Sequence, residues 1–519
     1  MEDPDVVFAG ADTAVVSAVG NFAGKPAGAA EFTTIAAAVS HLSTRANPRL
    51  LLRYDETFTS PVVMDNNTQE RPYIGRFGHG ASSTRPLLDM SGSGSTAITI
   101  GGDDVTEAVV CDIRILGEYD PTATSQPTDP GGGGIEFENN TSSAHKTVYN
   151  CRLENIGGTS LNVSTNDELN PMENVYLSNC QIIGWFDYGI LMGDGGKVGI
   201  AGCEIKQPTG TVNGRGKNSG APYWPDHGCF RLTRPSGMVV VSNCCMTSFN
   251  DWSAGETSRS MQPVIRWNSG SNNINDQELV IERLRSEGGT LAVHTGTGQA
   301  AVGDNFVIVD RFKIVSTFHP KAAIVSPMGG VTWRNGLLVV PNSLPGSSTG
   351  TREMFTDEDD DPYQSGAGGR RSEFYSNALI DLRSNANATN RGESASHDFD
   401  VGGYTALSGA TYFGENILHA PRLSGARNGT TQHAPLDETP TSNVVYDGER
   451  WQGEPLDTSR AYSDEVTALF KPEAGSPAIG GATGKVSLLD FDGNLRTTVI
   501  AGLSRSTLSV GPFEPDLET

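Results

Sequence analysis

VYLSNCQI, at residues 175–182, is one of four similar stretches that decide the fold. Each stretch has an apolar, often β-branched start, then a small or polar pair, a cysteine, one further residue and an apolar residue. Short strand-like segments that recur at intervals of about 20–40 residues are typical of solenoids. The other three stretches are VYNCRL (148–153), VGIAGCEI (198–205) and VVVSNCCM (239–246).

A second set of segments precedes these stretches at a nearly constant distance and supports the repeat. The intervals between the segments are too short for the crossover helices of an α/β protein. The sequence therefore predicts an all-β fold, a right-handed parallel β-helix in which each coil packs on the coil below. Free cysteine is small and readily buried, so we expect the cysteines to form an interior ladder. The second set is GGIEF (133–137), DYGIL (187–191) and DHGCF (226–230).

The two ends of the chain are predicted to close this solenoid. EFTTIAAAVSHL (31–42) has apolar residues at helical spacing and offers Thr33 or Thr34 as an N-cap, so we expect a capping helix there. The chain is divided into an N-terminal cap with a short helix (1–48), a parallel β-helix core (49–345), loop-rich insertions with the remaining coils (346–465) and a C-terminal capping segment (466–519).

Composition and charge narrow the classes of partner. The chain has 519 residues, of which 62 are glycine and 28 proline, and a net charge of −24. Such an acidic chain is not expected to bind nucleic acid, which requires a cationic face. No stretch approaches the ~20 apolar residues of a membrane helix, so no membrane insertion is expected. The N-terminal stretch MEDPDVVFAG is acidic where a secretory signal is basic, and we expect a virion or extracellular protein without a visible signal peptide.

The sequence resembles the pectate-lyase-like right-handed β-helix proteins of bacteria and phages. FTTIAAAV (32–39) and RLLLRYDETF (49–58) are similar to the capping helix and first coil of that family, and RPYIGRFG (71–78) fits the next coil. Gly480 stands where the family usually has Asp, and Pro512 where it has Ala. The closing segment of the family is matched in order and spacing by GSPAIGG (475–481), DFDGNLR (490–496) and VGPFEP (510–515).

The resemblance implies a fold and a polysaccharide partner but no single activity. The family includes lyases, hydrolases, epimerases, adhesins and phage tail spikes. The paired Lys and Arg of the β-helix lyases match no two positions of this sequence. Because tail spikes of this type are often trimers, the resemblance also implies a homo-oligomer, with a trimer favoured, or contacts with other particle proteins.

Asp187 and Asp226, with the neighbouring His227, are the candidate catalytic residues. If Gly189 and Gly228 occupy equivalent places in adjacent coils, the two aspartates lie about one rung, ~4.8 Å, apart. That is near the ~5 Å separation of the carboxylates in a retaining glycosidase. The same pair could share a Ca²⁺ ion, the only cofactor considered. Alternatively, both aspartates cap turn amides at a corner of the coil.

Aromatic residues are concentrated in the coils around this pair. Rings exposed on a β-helix face can stack on the apolar faces of sugars, although rings in loops can also pack a loop onto the scaffold. Arg231, expected to point outward after a turn, joins Arg266 and Glu287 as candidate polar residues of a substrate-binding groove. The aromatic candidates for substrate binding are Trp185, Tyr188, Tyr223, Trp224 and Trp252.

Three functions remain open from the sequence. The first is a virion-surface protein of the tail-spike or fibre type that recognises a polysaccharide on a host surface. The second is a secreted polysaccharide lyase or glycoside hydrolase. The third is a structural particle protein without a glycan ligand. The acidic run TDEDDDPYQSGAGGRR (356–371) lacks the ligand spacing of a calcium loop and is interpreted as a solvated loop, so no metal site is predicted.

Overall fold

The computed structural model divides into two compact units, Met1–Val240 (unit 1) and Val241–Thr519 (unit 2). The boundary lies inside the segment 49–345. The residues that the structure describes are 8–78, 84–120, 131–138, 145–164, 173–193, 195–206, 216–218, 221–223, 229–233, 238–247, 265–268, 278–287, 291–292, 306–315, 322–325, 331–340, 353–356, 372–381, 411–414, 417–419, 444–445, 490, 499–500 and 503–504.

In unit 1 the chain passes repeatedly through three parallel sheets, here called A, B and C, in that order. This course confirms the predicted all-β, right-handed parallel β-helix. The strands of sheet A are Thr13–Val16, Ala30–Phe32, Arg49–Arg53, Tyr73–Phe77, Glu107–Cys111, His145–Tyr149, Glu173–Ser178 and Gly195–Ala201. Those of sheet B are Thr57–Phe58, Leu87–Asp89, Arg114–Leu116, Arg152–Ile156, Gln181–Trp185 and Glu204–Lys206. Those of sheet C are Val62–Met64, Ile98–Ile100, Ile135–Glu138, Leu161–Ser164, Ile190–Gly193 and Phe230–Thr233.

A short antiparallel pair, Gly216–Asn218 with Ala221–Tyr223, lies outside these three sheets. It falls between two adjacent strands of sheet C, Ile190–Gly193 and Phe230–Thr233, which pair directly with each other.

Unit 2 continues the same alternation of strands, and Met238–Ser242 of sheet A spans the boundary. Its further sheet A strands are Glu278–Glu282, Phe306–Asp310, Val331–Arg334, Ser372–Tyr375 and Thr411–Gly414. Its sheet B strands are Cys245–Thr247, Arg285–Glu287, Lys313–Val315, Leu337–Val340, Ala378–Asp381, Ile417–His419 and Val444–Val445. Its remaining strands are Ile265–Asn268 of sheet C, the parallel set Leu291–Ala292, Ala322–Val325 and Glu353–Thr356, and the antiparallel pair Val499–Ile500 and Leu503–Ser504.

The corner between sheets A and B repeats one backbone conformation. In four successive coils of unit 1 a single residue with positive φ follows the sheet A strand, and the next residue is buried inside the coil. Short polar residues and glycine adopt this left-handed conformation most readily, which explains the small or polar pair in the repeated sequence pattern. The left-handed corner residues of these four coils are Asp112, Asn150, Asn179 and Gly202, and the buried residues that follow them are Ile113, Cys151, Cys180 and Cys203.

The predicted interior ladder of cysteines is confirmed. Cys151, Cys180 and Cys203 are free thiols with almost no exposed surface, and they follow the corner in three successive coils. The backbone N–H of Cys151 approaches the Sγ of Cys180 at 3.4 Å, while each thiol donates to a backbone carbonyl. The cysteines thus fill the small inward positions that the corner leaves.

The capping helix, here α1, spans Ile35–Leu42 and begins later than the predicted 31–42. Thr34 has an extended conformation and accepts a hydrogen bond from the N–H of Ala37, which makes it the N-cap. The preceding Ala30–Phe32 pairs with Thr13–Val16 as a strand instead. No helix in the described part of the chain is long and apolar enough to cross a membrane.

Gly336 of unit 2 provides a test of the interior packing. It occupies the inward position after a corner, one coil from Phe312, whose carbonyl accepts the N–H of Leu337. A Cβ added at Gly336 would overlap the Phe312 ring, which packs edge-on against Trp333 at 5.2 Å between centroids. Gly336→Ala should therefore lower the free energy of unfolding by about 1–3 kcal/mol in urea denaturation.

Gly101→Ala is the matched control, because its Cβ would meet no atom closer than 3.5 Å. Adding Phe312→Leu to Gly336→Ala should recover part of the lost stability. Equal stability of the two glycine variants would contradict this account of the packing.

Candidate functional site

The predicted equivalence of Gly189 and Gly228 is wrong. Ile190 pairs with Phe230, and its N–H donates to the carbonyl of Cys229 at 2.8 Å, so Gly189 lies beside Cys229. The alignment of DYGIL (187–191) with DHGCF (226–230) was therefore wrong by one residue. The predicted stacking of Asp187 on Asp226 depended on that alignment and is no longer supported. Asp187 itself is half-buried. Asp226 and His227 lie outside the described residues.

The predicted exposure of two aromatic rings is also wrong. Trp185 is 0% exposed and Tyr188 is 6% exposed, so neither ring can be a stacking surface for a sugar. The cause for Trp185 is Gly184, whose positive φ turns the end of the strand so that the ring enters the interior. Arg231 points outward as expected, and its guanidinium donates to the hydroxyl of Tyr188 and lies over that ring.

The remaining candidates stay predictions. For Tyr223, Arg266 and Glu287 the structure describes the strand and no side chain. Trp224 and Trp252 lie outside the described residues.

The outer face of sheet B in unit 1 carries charges that are paired with one another. Glu154 accepts from Arg114 Nε at 2.5 Å and from Arg152 at 2.6 Å. Burial alone would raise the pKa of Glu154, but these two arginines outweigh it and hold the pKa below its usual value. Gln181 donates to Glu204 at 3.1 Å. The charged groups named here therefore pair with one another, and few of them are left to bind a ligand.

The outer face of sheet C in unit 1 carries the opposite arrangement, three carboxylates without a basic partner among the described residues. Glu136 and Glu138 lie two residues apart on one strand, and Asp65 lies two coils away, across Gly101. Burial, followed by the charges of Glu136 and Asp65, raises the pKa of Glu138. Asn162 donates to Glu136 at 2.9 Å. We call these three carboxylates the acidic face.

The outer face of sheet A in unit 1 carries two exposed tyrosines. Tyr149 is 46% exposed and Tyr176 is 42% exposed, among the most exposed large apolar side chains of the described residues. Tyr149 pairs with Ser178 and Thr147 with Tyr176, so the tyrosines lie on adjacent coils and two residues apart along the strand. Strand geometry separates their Cα atoms by about 4.8 Å along the stack and ~6.6 Å along the strand. We call them the tyrosine pair.

Glycine determines how the Tyr176 ring lies. Gly199 pairs with Tyr176 on the next coil, and a Cβ there would be 3.2 Å from Cδ1 and 3.7 Å from Cε1 of the ring. The ring therefore leans over a position without a side chain and rests on the backbone, which leaves its outer surface to solvent. A larger residue at position 199 would push the ring away.

Hydrogen-bonding groups border the tyrosine pair along the beginning of the strands. Asn174 Nδ2 and His145 Nδ1 are 3.4 Å apart, and the backbone N–H of Lys197 donates to Asn174 Oδ1 at 3.2 Å. His145 and Lys197 are exposed. An amide and an imidazole next to two exposed rings can bind a ligand that has both apolar surfaces and hydroxyl groups.

The opposite border is rigid because the corner side chains bind one another. Asn150 donates to Asp112 and accepts from Arg85 at 2.6 Å, and Arg76 Nε lies 3.4 Å from Asp112. The strand ends next to the tyrosine pair are thus held by a chain of four polar side chains.

Cys111 lies beside the tyrosine pair but is no nucleophile. Its Sγ shares a hydrogen bond with the hydroxyl of Tyr73 at 2.8 Å. Burial raises the pKa of the Cys111 thiol to about 11 and raises that of Tyr73 further. A thiol that stays protonated at neutral pH cannot act as the attacking group.

Sequence reasoning missed the tyrosine pair although the signal was present in the repeated stretches. Val148 and Val175 are buried, and strand alternation places Tyr149 and Tyr176 directly after them on the outer face. The residues chosen instead were the tryptophans and tyrosines that cluster in sequence, and several of these belong to the interior.

Comparison with known proteins found no matching family model and no matching curated protein. Among solved structures, pectate lyase Pel9A is similar to this chain at 13% identity, with 97% of both chains covered and a TM-score of 0.38. A GH136 lacto-N-biosidase from Eubacterium ramulus is similar at 12% identity, with 67% of both chains covered and a TM-score of 0.36. The parallel β-helix fold of this chain is shown by the strand pairing described above.

Proposed function

We propose that this protein binds a polysaccharide on the outer face of sheet A in unit 1. The observation that carries the proposal is the tyrosine pair, two exposed rings on adjacent coils of a rigid scaffold. Sugar rings present apolar C–H faces that stack on aromatic rings, while their hydroxyl groups need hydrogen-bonding partners at the edge. Asn174 and His145 supply such partners beside Tyr176.

The finer proposal is that the polysaccharide lies on a host surface and that the chain belongs to the surface of a virion or similar particle. It is supported by the sequence resemblance to a family that includes phage tail spikes. It is also supported by the position of the rings on an outer face and not in a deep pocket, which suits a long polymer. The competing proposal is a structural particle protein without a glycan ligand. The binding experiment below distinguishes the two, because only the first binds a polysaccharide.

Removal of either ring should weaken polysaccharide binding. We expect Tyr149→Ala and Tyr176→Ala each to lower the affinity about tenfold, since truncation of an aromatic anchor costs about 1–2 kcal/mol. Gly199→Ala should reproduce part of the Tyr176→Ala loss, because the new methyl group displaces the ring. Affinities are measured by titration with polysaccharides that an array of bacterial and plant glycans identifies as ligands.

Val19→Ala is the control, because Val19 is the most exposed large apolar residue described in unit 1 and lies away from the tyrosine pair. Its affinity should equal that of the wild type. If no polysaccharide binds, or if the tyrosine variants bind as well as Val19→Ala, the proposal is wrong.

A second candidate function, glycoside hydrolysis, is favoured by the acidic face. Two residues along a strand separate the Cα atoms of Glu136 and Glu138 by ~6.6 Å. Side chains that leave the same face at this spacing can hold their carboxyl groups in the range of about 6.5–9.5 Å that an inverting glycosidase needs. In that case Glu138, whose pKa is raised, is the general acid and Glu136 is the base that activates water.

This second function predicts the release of new reducing ends from a bound polysaccharide. Glu138→Gln should then lower kcat at least a hundredfold while binding is retained, because general acid catalysis contributes about 10²–10⁴-fold. Thr99→Ala, on the same outer face, is the control. If the wild type releases no reducing ends, the protein binds its glycan without cleaving it.

A further inference from the structure

Two arginines of unit 2 occupy corner positions that elsewhere hold short residues. Arg283 has a φ of 53° and Arg311 a φ of 54°, in the left-handed region. Bulky side chains are disfavoured there, and other described corners between sheets A and B carry Asn, Asp, Ser or Gly. The backbone conformation does not favour arginine at these two corners. We therefore ask which interactions the arginine side chains make.

The corner is basic in a chain that is strongly acidic overall. We define the basic corner as residues 282–285, 310–313 and 334–335. These segments contain five cationic and two anionic side chains, a local charge of 5 − 2 = +3 against −24 for the whole chain. The cationic residues are Arg283, Arg285, Arg311, Lys313 and Arg334, and the anionic residues are Glu282 and Asp310.

The two anionic residues are already used within the corner. Asp310 lies 3.2 Å from Arg334 Nε and 3.4 Å from Arg311 Nε, and it also accepts from Asn335 at 2.9 Å. Glu282 pairs with Arg311. These ion pairs hold the inner part of the corner together and leave no carboxylate for the outer part.

Arg283 and Arg285 make up the outer part and are exposed. Neither side chain has an ion pair or hydrogen bond within the part of the chain that the structure describes. Arg285 pairs in register with Lys313 of the next coil, and because Lys313 is buried, Arg285 is the accessible cation of the two.

The acidic face of unit 1 presents the complementary surface. Asp65 and Glu138 are exposed, and Glu136, on the same strand as Glu138, is half-buried. The described residues contain no basic partner for any of the three.

We propose that the basic corner of one copy of this chain docks on the acidic face of a second copy. The contact is heterologous, because different surfaces of the two copies meet. A second copy of the chain fits the basic corner because the two surfaces carry opposite charges. Copies with a net charge of −24 repel each other elsewhere, but the basic corner attracts carboxylates. Arg283 and Arg285 lie on a rigid β-helix corner and can pair with Glu136 and Glu138, which are likewise fixed on one strand.

Charge reversal combined with measurement of native mass tests the proposal. At an ionic strength of about 0.1 M, where the long-range repulsion is screened to ~10 Å, wild type should form an oligomer; at about 1 M it should dissociate to the 54.9 kDa chain. Arg283→Glu/Arg285→Glu should remain at the mass of one chain at about 0.1 M. Glu136→Lys/Glu138→Lys should do the same. All four substitutions in one chain should restore the oligomer, because they exchange the two signs.

Arg49→Glu/Arg71→Glu is the matched control, since it changes the net charge equally at two positions outside both surfaces. This control should keep the oligomer, and thermal melts should confirm that every variant is folded. A wild type at the mass of one chain at both ionic strengths overturns the proposal. So does a fourfold variant that fails to reassociate, or a basic corner that captures a sulfated glycan while the protein remains a single chain. The result is independent of the tyrosine pair, so the polysaccharide proposal can succeed or fail separately.

Discussion

The left-handed residue at the corner between sheets A and B is the constraint on which the rest of the structure depends. It turns the chain between two strands with a single residue and leaves one inward position after it. In unit 1 this position is filled by Ile113 and then by Cys151, Cys180 and Cys203, each packed on the coil below. Because the turn has the same length in every one of these coils, the strands on both sides keep a common register.

Because the register is constant, equivalent outward positions of successive coils lie directly above one another. A residue type that recurs at such a position therefore forms a continuous acidic, aromatic or ion-paired surface. In unit 1 the outer face of sheet B carries ion pairs around Glu154, the outer face of sheet C is the acidic face, and the outer face of sheet A carries the tyrosine pair. In the functions proposed above, the aromatic face binds a glycan and the acidic face binds a second copy of the chain. In unit 2 two corners carry arginine, which places positive charge where other described corners have Asn, Asp, Ser or Gly.

The repeated pattern around the cysteines was sufficient to predict the β-helix and its interior, because both follow from local spacing. The first residue of α1 could not be predicted from the sequence, because Phe32 fits a helical pattern as well as a strand. Only the extended conformation of Thr34 shows that the helix begins after it. The predicted site failed for a different reason: consecutive residues Cys229 and Phe230 both point inward, and this bend displaces the alignment with Gly189 by one residue. The tyrosine pair depends on alternation alone and was within reach of the sequence.

Hydrogen–deuterium exchange with and without a bound polysaccharide tests the central claim most directly, because it locates the ligand without changing the protein. Stacking on Tyr149 and Tyr176 should slow exchange in peptides that contain residues 145–149, 173–178 and 195–201 and leave the strands of sheets B and C unchanged. Slower exchange confined to sheet C, or to the segment 207–228, with no change on sheet A would contradict the account.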